Sequence, residues 1–139
     1  AAEKGIQYGD TELIVACVQR VLASHHPQPS LLHGDLWPAN CASSESGPWL
    51  FDPACYWGDR ECDLAMLSWY PDLPRQIYDG YQAVWPLPDG FSQRLPVYQL
   101  YYLLSRANVF GGHWPGDAQF AIGQLLDEDA LGASQARPA

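Results

Sequence analysis

The chain has 139 residues, 47% of them hydrophobic and 17% charged, which is enough to bury one modest core, so one compact domain is expected. Sixteen Asp and Glu against seven Lys and Arg give a net charge of −9. This argues against nucleic acid as a partner, because each neutralised phosphate needs a cation. No run approaches the ~18 apolar residues of a membrane span, and Cys17, Cys41, Cys55 and Cys62 have neither a C-x-x-C pattern nor zinc-finger spacing. Four free thiols in a reducing, cytoplasmic compartment are therefore expected.

In chain order, residues 1–9 read as a flexible leader, and Asp10 or Thr11 as the N-cap of a helix. Leu13, Ile14, Cys17, Val18, Val21 and Leu22 recur three or four residues apart, which makes one apolar stripe on a helix ending near Ser24. After the proline-containing stretch from His25 to Ser30, an extended segment Leu31-Leu32-His33 delivers a polar loop ending at Asn40. A turn from Ser43 to Pro48 leads into a second short apolar strand, Trp49-Leu50-Phe51, and the spacing predicts an antiparallel pair formed by the strands on either side of the loop.

Helical periodicity resumes from Cys62 to Tyr70, with Asp63 near its start, and again from Arg75 to Val84 through Ile77, Tyr78 and Tyr81. A longer helix is predicted from Phe91 to Phe110, with Pro96 tolerable only in a first turn, and Gly111 and Gly112 stop it. Asp117 caps a last helix through Phe120, Ala121, Ile122, Leu125 and Leu126, and residues 132–139 read as a flexible tail. The fold class expected is mainly α, with a small β-hairpin-like pair carrying the polar loop.

That loop, His33-Gly34-Asp35-Leu36-Trp37-Pro38-Ala39-Asn40, followed by Phe51-Asp52-Pro53, has the spacing of a phosphotransferase catalytic loop. An Asp held in a rigid loop can accept the proton of an attacking hydroxyl, while an Asn oxygen and a second Asp hold the magnesium that bridges ATP phosphates. Asp35 is accordingly read as the catalytic base, and Asn40 and Asp52 as metal ligands. Taken singly, Asp35 could be a turn residue, Asn40 a loop-stabilising amide and Asp52 a strand-end cap. Together, at this spacing, the catalytic reading outweighs those alternatives. Gly34 stands where protein kinases place an Arg that commonly reads a phosphorylated activation loop, and Trp37 stands in place of their lysine, so a small-molecule acceptor is favoured.

Leu31 to Asn40, Phe51 to Ala65 and, more loosely, Gly90 to Gly112 resemble the fructosamine kinase (ketosamine-3-kinase) family, within the wider aminoglycoside and choline phosphotransferase group. The resemblance implies the C-terminal lobe of a protein-kinase-like fold. It also implies ATP-dependent phosphorylation of the 3-hydroxyl of a fructose unit on an amine or glycated protein, with ATP and Mg2+ as cofactors. The product sheds its sugar, so the implied role is deglycation. By the same resemblance, His33 and Asp63 brace the loop through bonds with its backbone, although Asp63 could equally cap a helix. Trp37 and Trp57 flank the site as candidate substrate-binding residues. A related kinase of aminoglycosides, choline or homoserine would use the same polar residues, and a non-catalytic binding module derived from such a lobe would keep them without chemistry.

The chain also departs from that family. Lys4 is its only lysine and lies in a polar leader, and Phe110 to Gly116, the one glycine-rich stretch, lacks G-x-G-x-x-G spacing. With Ala1 at its start, the chain reads as a C-terminal lobe without its ATP-binding N-terminal lobe. Such a lobe is expected to be inactive alone, and the face left by the missing lobe could pair two copies as a homodimer.

Overall fold

The structure, a computed structural model, describes residues 6–70 and 76–135, with side chains placed as far as Asp127. In chain order the elements are α1 (Thr11–Leu22), β1 (Ser30–Leu32), β2 (Cys41–Ser44), β3 (Gly47–Leu50), β4 (Tyr56–Gly58), α2 (Glu61–Leu67), α3 (Gln76–Val84), α4 (Phe91–Val109) and α5 (Trp114–Gln135). Chain length suggests one compact domain, but the described residues cluster into two compact units. One runs up to His25 and resumes at Pro96; the other is His26–Leu95.

In the first unit α1 begins where the sequence signals it. Asp10 has extended backbone, and its carboxylate accepts hydrogen bonds from the Glu12 and Leu13 N–H groups at 2.9 and 3.2 Å. Two otherwise unpaired donors of the first turn are thereby satisfied. The apolar stripe of α1 places Cys17 in a core with Val97 and Leu100 of α4 and Ile122 and Leu125 of α5. Tyr8 and Leu104 pack against the same cluster. The Cys17 thiol is fully buried and donates to the Leu125 carbonyl at 3.7 Å, so it behaves as a small core side chain.

Gly111 and Gly112 end α4 in the left-handed region, with φ of 68° and 63°, where a residue with a Cβ would be strained. The last helix starts at Trp114, three residues before the predicted cap at Asp117, because Pro115 fits a first turn whose N–H groups need no partner within the helix. Pro96 does not lie in a first turn as the sequence reading required. It is the sixth residue of α4, where it removes the amide that would bond back to Ser92, and the boundary between the two units falls directly before it.

Among the described residues the second unit holds all four strands, in two separate two-stranded antiparallel sheets. β2 pairs with β3 from Cys41↔Leu50 to Ser44↔Gly47, closing a local hairpin over Glu45 and Ser46. β1 pairs with β4, with Leu31 opposite Trp57 and Leu32 opposite Tyr56. The single expected pair, Leu31-Leu32-His33 against Trp49-Leu50-Phe51, is therefore not formed. The short turn lets β3 return onto β2, the nearest available edge, and β1 waits for the chain to come back as β4. The Ser44 hydroxyl stabilises the hairpin by accepting from the Ser46 N–H and the Trp49 indole N–H at 3.2 and 2.8 Å. α2 is shorter than the predicted Cys62–Tyr70 helix. It buries all its residues except the partly exposed Cys62, so it forms the centre of this unit.

Candidate active site

The polar loop lies between β1 and β2, and the strand β4 that pairs with β1 follows directly on Asp52-Pro53-Ala54-Cys55. The two motif segments are stitched together by backbone. The Ala54 N–H donates to the His33 carbonyl at 2.8 Å, and the Phe51 N–H to the Asn40 carbonyl at 3.1 Å. Each bond joins one end of the loop to the Asp52 turn, which positions both turns from the same strand scaffold.

Within the loop, the Asn40 side-chain nitrogen donates to the Asp35 carbonyl at 2.9 Å and to the Asp35 carboxylate at 3.0 Å. Asn40 is itself buried at the end of a 3-10 turn formed by Pro38, Ala39 and Asn40, whose last N–H bonds to the Trp37 carbonyl at 2.9 Å. Both hydrogens of the amide group are thus committed to Asp35, and the amide oxygen is the atom that remains for another partner. His33 bridges the two turns: its Nε2 lies 3.0 Å from the Phe51 carbonyl, while its Nδ1 accepts from the Asp35 N–H at 3.4 Å. With a carbonyl on one side and an N–H on the other, the ring carries its proton on Nε2.

Asp63, in the first turn of α2, accepts from the His33 N–H at 2.8 Å and from the Gly34 N–H at 2.9 Å, one amide on each carboxylate oxygen. Gly34 has φ of 80°, and a Cβ added there would meet the Ala54 carbonyl oxygen at 2.3 Å. No side chain fits at that position, whatever its charge. Asp52 is the one non-glycine residue in the left-handed region among the described residues, with φ of 54°. Asp tolerates this conformation better than most residues, and strain of this kind recurs where a side chain must be aimed.

Trp37 is half-buried at the start of the 3-10 turn, and its carbonyl also accepts from the Cys41 thiol at 3.4 Å. Trp57 lies on β4 with 71% of its surface exposed. Beneath the loop is an apolar cavity of about 750 Å³, lined among others by Leu36, Trp49, Leu64, Tyr81 and Trp85, and none of Asp35, Asn40 and Asp52 lines it. All four cysteines are free thiols, and Cys55, next to the Asp52 turn, is exposed. Burial, with the neighbouring Asp59 charge adding to it, pushes the Cys62 thiol up to about 11.

Three residues to which the sequence reading gave no role are prominent here. Arg60, Glu61 and Arg94 are charged yet almost wholly buried, and Arg94 holds Glu61 through two bonds of 2.8 and 2.6 Å. A charged triplet Asp59-Arg60-Glu61 running into the start of a buried helix is the sequence signal, but the partner of Glu61, thirty-three residues away, is invisible without the fold.

Residues 1–128 match the model of the fructosamine kinase family. A probable ketoamine kinase of Klebsiella aerogenes is 63% identical over 126 residues, and the probable ketoamine kinase YniA of Escherichia coli K12 is 62% identical over 126. Each match covers 91% of this chain and 44% of the relative, so the chain spans less than half the length of these curated relatives. Among solved structures, the "putative fructosamine-3-kinase" of Haemophilus somnus 129PT superposes with a TM-score of 0.80 at 40% identity, over 90% of this chain and 43% of that one. The chain belongs to the fructosamine kinase family.

Proposed function

With that family as premise, we propose that the chain is the catalytic and acceptor-binding C-terminal lobe of an ATP-dependent kinase that phosphorylates the 3-hydroxyl of the fructose unit in fructosamines. The observation that carries the reading is the Asp35–Asn40 pair. The amide of Asn40 holds the Asp35 carboxylate at 3.0 Å, on a loop whose own N–H groups are held by Asp63. A carboxylate so restrained is ready to receive a proton without reorganising.

In this reading Asp35 is the base. As the C3 oxygen forms its bond to the γ-phosphorus and ADP departs, the hydroxyl proton passes to the Asp35 carboxylate. Asn40, through the oxygen left over from its bonds to Asp35, and Asp52, through its carboxylate, would hold Mg2+. An all-oxygen donor set of this kind suits that hard cation. When bound, the ion neutralises charge on the ATP phosphates. Asp52 is fixed for this role by its left-handed backbone and by Pro53 after it. His33 and Asp63 brace the loop rather than react. Trp37 and Trp57 offer flat apolar faces to the C–H side of the sugar or to the amine substituent. The phosphorylated product loses its sugar, which makes the function deglycation of amines or proteins, and the four free thiols fit a cytoplasmic setting.

The test is Asp35→Asn in the native gene product. The Asn side chain has the same shape and can keep a bond with Asn40, so folding and ATP binding are expected to persist while phosphotransfer to a fructosamine falls ~10²–10⁴-fold. Turnover within a fewfold of the parent would remove Asp35 from the chemistry.

A further inference from the structure

The start of α2 is gripped from two directions. Arg60 donates to the Trp85 and Pro86 carbonyls at 2.6 and 2.5 Å, with its guanidinium 4.0 Å from the centre of the Trp85 ring. Arg94, in the first turn of α4, pairs with Glu61 through Nε and Nη2 and donates from Nη1 to the Asp89 carbonyl at 2.9 Å. Gly90 makes room for this arrangement, since a Cβ there would meet Arg94 Nη1 at 2.7 Å. Arg60, Glu61 and Arg94 are 7, 0 and 6% exposed.

Packing alone does not explain a buried ion pair, because apolar side chains of the same volume fill such a space at no worse stability. What a forked guanidinium–carboxylate pair adds is direction. Glu61 and Asp63 are two residues apart on a helix, so their side chains leave the axis about 200° apart, on nearly opposite faces. One face of the first turn is fixed by Arg94, and the opposite face presents the carboxylate that receives the His33 and Gly34 N–H groups.

We propose that Glu61 and Arg94 are positioning residues: by fixing the rotation of α2 about its axis they aim the Asp63 carboxylate at the catalytic-loop amides and so hold Asp35 in register. The significance for catalysis rests on the kinase reading above, but the mechanical coupling does not. The test is amide hydrogen exchange of the chain, read residue by residue by NMR, in Arg94→Lys. That variant keeps a charge opposite Glu61 and loses the fork. The His33 and Gly34 amides are expected to exchange about tenfold faster or more, while those of Met66 and Leu67 in α2 keep their rates, the signature of a local opening rather than a global one.

Should Arg94→Lys fail to fold, the double variant Glu61→Met with Arg94→Met replaces the pair by apolar chains, and the same selective change is expected. Unchanged His33 and Gly34 exchange, or equal acceleration of every amide in the unit, would overturn the proposal. Failure of the kinase reading would leave this exchange pattern intact and would show instead in the Asp35→Asn assay, so the two are separable.

Discussion

Gly34 shows how much a single position can constrain the site. With φ of 80° and the Ala54 carbonyl 2.3 Å from where a Cβ would be, Gly34→Ala must displace either the loop or the turn that follows Asp52. We expect the variant to lose phosphotransfer of the order of 10²-fold, the effect of a misplacement near 1 Å, with its melting temperature lowered and its fold kept. An active Gly34→Ala enzyme would mean that this register is not needed. The sequence marked the residue as the place where protein kinases carry Arg, which concerns regulation; the steric reason, contact with a backbone twenty residues on, appears only in the fold. Spacing along the chain singled out Asp35, Asn40 and Asp52, and the structure joins Asp35 to Asn40 by a side-chain hydrogen bond. Glu61 and Arg94 were not singled out, because a buried ion pair between distant residues leaves no periodic trace. Cys62 offers a check on the electrostatics of this region. Its thiol, raised to about 11, stays protonated at pH 8, with thiolate at about a thousandth of the total. Alkylation at pH 8 should therefore spare Cys62 and label the exposed Cys55 first; equal labelling would contradict the burial seen here.

Elements were read well where local chemistry decides them and less well where pairing does. The N-cap of α1 was legible since Asp10 acts on its own neighbours, Glu12 and Leu13. Asp10→Ala should destabilise the chain by about 1 kcal/mol in urea unfolding, and no change in midpoint would show that the cap is idle. The end of α4 was likewise written in Gly111 and Gly112. The strands were located, but their partners were misassigned, because three- and four-residue strands carry no register signal beyond the turn that joins them, and the turn at Glu45-Ser46 makes a separate hairpin. Pro96 is the other instructive miss. Proline inside a helix forfeits a backbone bond, and here it stands at the first residue after the boundary between the two compact units.

The described residues are mainly helical, as expected, with two small sheets where one strand pair was expected, and the chain belongs to the fructosamine kinase family. Among the described residues no helix is long and apolar enough to cross a membrane. The 139 residues contain one lysine and no G-x-G-x-x-G loop to cover phosphates, so the chain by itself is expected to hydrolyse ATP negligibly; robust ATPase activity would show that it clamps the nucleotide unaided. The acceptor is identified by incubating the native gene product with ATP, Mg2+ and fructosyl-lysine and locating any new phosphate by 31P and 1H NMR. The expected product is a phosphate ester on C3 of the fructose unit that disappears as the sugar is shed. Transfer to another hydroxyl, or no transfer to fructosyl-lysine alongside transfer to an aminoglycoside or choline, would contradict it.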